Sequence, residues 1–146
     1  IMTDLLGLTP DARVLEVGTG CGYQAALLAE IADRVVTLER VGSLADASRA
    51  RLKRLGYENV AVLHADGEKG WAAEAPYDTI IVTADAKKVP EALLQQLRPG
   101  GRMIVPVGRR GRTQSLILFE KYAKGTVTEG CHLPVAFVPL LDNIRA

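Results

Sequence analysis

The chain has 146 residues, of which 48% are hydrophobic and 24% charged, with 18 Lys and Arg against 17 Asp and Glu for a net charge of +1. That composition excludes a disordered chain, and the near-neutral balance gives no electrostatic case for nucleic acid or an anionic membrane as main partner. No run reaches the ~18 apolar residues of a membrane span. With only Cys21 and Cys131, a disulfide framework is out of reach and a reducing compartment is expected.

The chain opens Ile1-Met2 with no signal-like segment, so something upstream is expected to have been removed or left out. Read by periodicity, 13–17 (RVLEV) is a first strand between Thr9-Pro10-Asp11 and a glycine cluster. A helix over 23–32 follows, then a strand over 35–38. A helix over 42–55 places Leu44, Ser48, Leu52 and Leu55 on one face. Strands are predicted at 60–64 and 79–83. Pro90 introduces a short helix over 91–97, stopped by Pro99-Gly100-Gly101. Strands at 103–107 and 114–120 come next, with a last β segment within 126–138. The alternation predicts an α/β fold: one doubly wound, mostly parallel sheet ending in an antiparallel edge hairpin, with 1–146 as a single domain.

Open sheets of this kind bind ligands beyond the carboxyl ends of their strands. After the first strand stands Glu16-Val17-Gly18-Thr19-Gly20-Cys21-Gly22, after the second Glu39, after the third Asp66-Gly67, and the fourth ends in Thr83-Ala84-Asp85. Glycines 18, 20 and 22 allow a tight turn and close ligand approach. Glu39, 21 residues beyond Gly18, suits the two hydroxyls of a ribose. Asp66 suits an exocyclic amino group. Glu16 beside the loop disfavours a pyrophosphate and favours a cationic ligand. The G-x-G-x-G spacing differs from the dinucleotide fingerprint G-x-G-x-x-G, and Tyr23-Gln24 do not complete a P-loop. These features favour S-adenosylmethionine over NAD or a nucleoside triphosphate.

The motifs VLEVGTGCGYQAALLA (14–29), YENVAVLHADGEKG (57–70), APYDTIIVTADA (75–86), EALLQQLRPGGRMIVPVG (91–108) and FVPLLD (137–142) resemble the protein-L-isoaspartate O-methyltransferase family over nearly the whole chain. The resemblance implies a Rossmann-like methyltransferase that moves a methyl group from S-adenosylmethionine to the carboxylate of L-isoaspartyl residues in damaged proteins. It implies a soluble cytoplasmic enzyme, taken as a monomer, without metal, nucleic acid or membrane. Carried over by position, Glu16, Gly18, Thr19, Gly20 and Gly22 would hold the cofactor, Glu39 its ribose, and Asp66 with Gly67 its adenine. Thr83 would border the transfer centre, with Ala84, Asp85 and Leu141 toward the substrate.

Two departures from the family pattern stand out. The family's active-site serine, in a segment like T-I-S-x-P, would lie upstream of Ile1, so no catalytic residue is expected within the chain. Ala84-Asp85-Ala86-Lys87 replaces the family's Ala-Ala-Ala-Pro, and a carboxylate at Asp85 would repel a carboxylate acceptor unless Lys87 or Lys88 compensates. A changed acceptor, or a cofactor-binding fragment without catalysis, are the alternatives. Cys21 reads as a tolerated small residue and His64 as a packed histidine. Cys131-His132 lacks a second pair for zinc. Trp71 and Tyr77 are expected to cover the sheet edge, and 109–112 (RRGR) to be a solvated hairpin turn.

Overall fold

In the computed structural model, residues 7–83, 88–107, 114–122 and 127–135 are described. Their elements follow the order β1 (Arg13–Val17), α1 (Tyr23–Ile31), β2 (Arg34–Glu39), α2 (Gly42–Arg54), β3 (Val60–His64), β4 (Tyr77–Val82), α3 (Glu91–Gln96), β5 (Leu97–Val107), β6 (Gln114–Lys121) and β7 (Val127–Val135). Single 3₁₀ turns at Gly67–Lys69 and Ala72–Glu74 lie between β3 and β4.

The seven strands form one sheet in the order β3-β2-β1-β4-β5-β6-β7. The first five pair in parallel, and β6 and β7 are each antiparallel to the strand before them. The expected antiparallel edge is therefore present, adjoining β5. From β1 the chain winds outward to β2 and β3, then returns to place β4 on β1's other side. The order reverses between β1 and β4, the place where sheets of this kind bind ligands beyond their carboxyl ends.

Strand alternation sorts the core into two layers. Leu15, Val17, Val36, Leu38, Ile80, Val82, Met103 and Val105 face one side, packed with Leu93 of α3, Leu97 and Tyr77. Val14, Val35, Ile81, Ile104, Leu116 and Leu118 face the other, where Leu28 of α1 seals them. Ala25, Ala45, Leu52 and Val62 continue that second layer beneath α2. Each large side chain buried in this way contributes roughly 1.5–3 kcal/mol before chain entropy is counted.

Three expectations are corrected. The inward line of α2 is Ala45, Ser48 and Leu52, whereas Leu44 and Leu55 are exposed. Small side chains at 45 and 48 let the helix lie close to the glycine loop, and that approach sets its rotation. Next, β5 starts at Leu97, because Pro99-Gly100-Gly101 forms an irregularity inside the strand rather than a break before it. Gly101 is pressed against the carbonyls of Asp78 and Arg98, where a side chain would collide. Finally, Tyr77 does not cover an edge. It opens the interior strand β4, is fully buried, and donates its hydroxyl to Trp71 O at 2.6 Å. Burial pushes its phenol up to about 12, so it remains a donor at any ordinary pH.

Candidate functional site

The site begins where β1 runs out of strand at Val17. The amides of Gly18 and Thr19 both donate to Leu38 O (2.8 and 3.2 Å), which stitches the turn onto the end of β2. On the β4 side, Thr83 N donates to Val17 O (2.9 Å), and the Thr83 hydroxyl reaches Gly18 O at 2.7 Å. A Cβ on Gly18, whose φ is +101°, would stand 2.5 Å from that hydroxyl oxygen. Glycine is required there for both conformation and space. Gly20 (φ +54°) differs, because a Cβ there would meet nothing within 4 Å. It is half-buried, with open space on its Cα side where a side chain would stand.

Glu39, at the end of β2, holds the loop from the other side. Its Oε1 accepts from Gly20 N at 2.9 Å and its Oε2 from Val41 N at 3.0 Å. Each carboxylate oxygen can accept about two hydrogen bonds, so each retains capacity for a ligand hydroxyl. From above, Ser48 donates to Gly20 O (2.5 Å) and Arg51 to Cys21 O (2.5 Å). Gly22 caps α1 with φ +87° and lies under Leu52 and Ser48. Asp66 leaves the sheet beside Glu39, since Ala65 N donates to Glu39 O at 3.0 Å. One oxygen of Asp66 accepts from Glu68 N (3.0 Å), which fixes the side chain at the head of a 3₁₀ turn, and Gly67 is buried in that turn.

Glu16 is enclosed rather than offered to a ligand. It is 0% exposed, on the α1 and α2 face of β1, in register with Thr37 of β2 and Ile81 of β4. Its Oε1 accepts from the Thr37 hydroxyl at 2.6 Å, and the Thr37 and Thr19 hydroxyls are 2.7 Å apart. Its Oε2 has no hydrogen-bond partner among the described residues. Burial, with a smaller push from Glu39, raises its carboxyl from the usual range to about 8, against the opposing hydrogen bond from Thr37. The expected direct pairing of Glu16 with a ligand cation gives way to an interior role, because no surface of this side chain is available for contact.

Gly18, Thr19, Gly20, Gly22, Glu39 and Thr83 are thus tied together at the carboxyl ends of β1, β2 and β4, with Asp66 and Gly67 beside Glu39. Ala84, Asp85 and Leu141 lie outside the described residues, as do Lys87 and the 109–112 run. Sequence reasoning missed Thr37, Ser48 and Arg51. A signal for Thr37 existed: it is the polar residue within the buried run VVTLE, and parallel pairing sets it beside Glu16.

A Rossmann-like doubly wound fold is the class that this strand order and glycine turn define. The model of the protein-L-isoaspartate(D-aspartate) O-methyltransferase family matches residues 1–145, and the chain belongs to that family. It is 51% identical over 140 residues to protein-L-isoaspartate O-methyltransferase 2 of Polaromonas sp., and 53% identical over 139 residues to protein-L-isoaspartate O-methyltransferase 1 of Nitrosospira multiformis. These alignments cover 96% and 95% of this chain but only 66% and 59% of the relatives' lengths. A solved protein-L-isoaspartate O-methyltransferase superimposes with a TM-score of 0.90 at 33% identity, over 99% of this chain and 46% of that one. A Plasmodium falciparum structure described as a complex with S-adenosyl-L-homocysteine matches with a TM-score of 0.73 at 28% identity, over 92% of this chain and 68% of that one. No helix among the described residues is long and apolar enough to cross a membrane.

Two outcomes follow from this geometry. Gly18→Ala should cost about 2–4 kcal/mol in urea unfolding, combining positive-φ strain with a displaced Thr83, against about 1 kcal/mol for Gly20→Ala; equal costs would contradict the tight closure at Gly18. For Glu16, the folded chain holds one more proton than the unfolded chain between the ordinary glutamate range and about pH 8. Its contribution to stability therefore falls as pH rises through that window and is level above it, a change on the order of a few kcal/mol. Glu16→Gln should flatten that slope in unfolding measured from pH 5 to 9, and parallel profiles for the two proteins would refute the assignment.

Proposed function

We propose that residues 1–146 form the cofactor-binding domain of a protein-L-isoaspartate O-methyltransferase, using S-adenosylmethionine to methylate isoaspartyl carboxylates of damaged proteins in the cytoplasm. Family membership supports the reaction. The observation that supports the cofactor reading is Glu39, which braces the glycine loop by accepting one backbone hydrogen bond on each oxygen and so retains acceptor capacity on both. The fit is physical as well as positional: Gly20 leaves open the space a side chain would fill, and the carbonyls of Gly18, Thr19, Gly20 and Cys21 are each tied to protein. In this reading Gly18, Thr19, Gly20 and Gly22 cradle the cofactor's amino-acid end, Glu39 accepts from its ribose, and Asp66 and Gly67 border its adenine. Thr83, Ala84, Asp85 and Leu141 lie toward the acceptor.

When bound, S-adenosylmethionine supplies an electrophilic methyl group on a sulfonium. The acceptor carboxylate, with a pKa near ~4, is already ionised at neutral pH. The chain need provide no general base. Its contribution is orientation and exclusion of water, and the braced loop is suited to both, since little of it must rearrange when the ligand arrives.

The test is transfer of a labelled methyl group from S-adenosylmethionine to an isoaspartyl peptide and to its normal aspartyl twin, using this chain alone and this chain extended upstream to the length of its relatives. Labelling of the isoaspartyl peptide at least 100-fold above the twin, in either form, is the expected result. Labelling of both peptides alike would overturn the acceptor assignment, and labelling of neither by the extended protein would overturn the activity.

A further inference from the structure

We infer that Glu16 acts as a neutral hydrogen-bonding group that positions the glycine loop through Thr37 and Thr19, and that the loop loosens when this carboxyl ionises. Glu16 makes no approach to the ligand space, so it is a positioning residue. A buried carboxylate is tolerated when cations or several donors surround it. Among the described residues, Glu16 has one hydroxyl partner on Oε1 and none on Oε2. Its register neighbours Thr37 and Ile81 are uncharged. The charged group on β2 whose field reaches it is Glu39, of the same sign. On α2, Arg49 is engaged by Val62 O and Asp46, and Arg51 by Cys21 O. A neutral acid suits these surroundings and an anion does not, which agrees with the raised pKa.

The link to the loop follows from counting protons. A hydroxyl donates one hydrogen bond. With the proton of the neutral carboxyl on Oε2, Thr37 donates to Oε1 and Thr19 donates to Thr37 across the 2.7 Å contact; with it on Oε1 the chain runs the other way, and Thr37 and Thr19 are linked to Glu16 in both cases. Thr19 is 3% exposed, and its amide, with that of Gly18, is bound to Leu38 O. The side chain and backbone of Thr19 are therefore anchored to the same strand, one residue before Gly20 opens toward the ligand. An ionised Glu16 needs a second donor for Oε2, and water can supply it only if the packing around Thr19 parts. The two carboxylates at the ends of β1 and β2 would then repel each other across the turn that both help to hold.

The experiment is hydrogen exchange by mass spectrometry on the ligand-free chain at pH 6.5 and 9.0, corrected for intrinsic exchange, following peptides that span 14–24 with β4 peptides as reference. Protection of the loop amides should fall at least fivefold at the higher pH in the wild type, with β4 changing less than twofold. Glu16→Gln should keep the low-pH protection at both values, and Thr37→Val should lower it at both. PH-independent loop protection in the wild type, which needs no variant to fold, would overturn the inference, as would an equal fall in Glu16→Gln. The consequence for cofactor affinity rests on the proposed function and is read separately: S-adenosylhomocysteine should bind at least threefold more weakly at pH 9.0 than at 6.5. Absence of binding at both values, with the exchange pattern intact, would overturn the cofactor reading and leave the loop inference standing.

Discussion

The closure of Thr83 over Gly18, at the carboxyl ends of β1 and β4, is the interaction from which the rest of the loop takes its course. Up to Val17 and Val82 the two strands are paired in parallel register. Thr83 bonds back to Val17 and Gly18, so tightly that only glycine fits at 18. Everything that follows in the loop is aimed by that closure. Gly20 is carried over the end of β2, where Glu39 meets its amide, and Gly22 is delivered to the start of α1 beneath Ser48 and Leu52.

This arrangement explains why charged and polar residues are buried at the edge of an otherwise apolar core. Glu39 is 7% exposed, yet both its oxygens have backbone donors, so its charge is supported. Glu16, one strand over, lacks that support and is held by a hydroxyl chain. Two glutamates at adjacent strand ends thus sit in different surroundings because their donors differ. In the proposed function the first accepts from the ligand and the second stiffens the turn from behind.

Much of this was legible in the sequence. Short apolar runs located the seven strands of the described residues, and residues following four of them come together at one end of the sheet, because strand ends in a doubly wound sheet converge in space. The errors share a cause. The rotation of α2, the start of β5 and the burial of Tyr77 are set by how closely elements pack, and a one-dimensional pattern carries that only indirectly. Ser48 was read as one member of an apolar stripe, whereas its hydroxyl is what bonds Gly20 O. Glu16 was legible as an acid beside a glycine loop, but not its enclosure, which depends on Thr37 pairing beside it. Ala84, Asp85 and Leu141, on which acceptor choice would turn, fall outside the described residues.

In the proposed function the glycine loop and Glu39 together cradle an adenosyl cofactor. Calorimetric titration of S-adenosylhomocysteine into the wild-type chain and into Glu39→Ala tests it most directly. The account predicts saturable binding at one site per chain, weakened at least tenfold in the variant while its unfolding remains cooperative. Equal affinity in the two proteins would contradict it, because the ligand would then be held somewhere other than the end of β2.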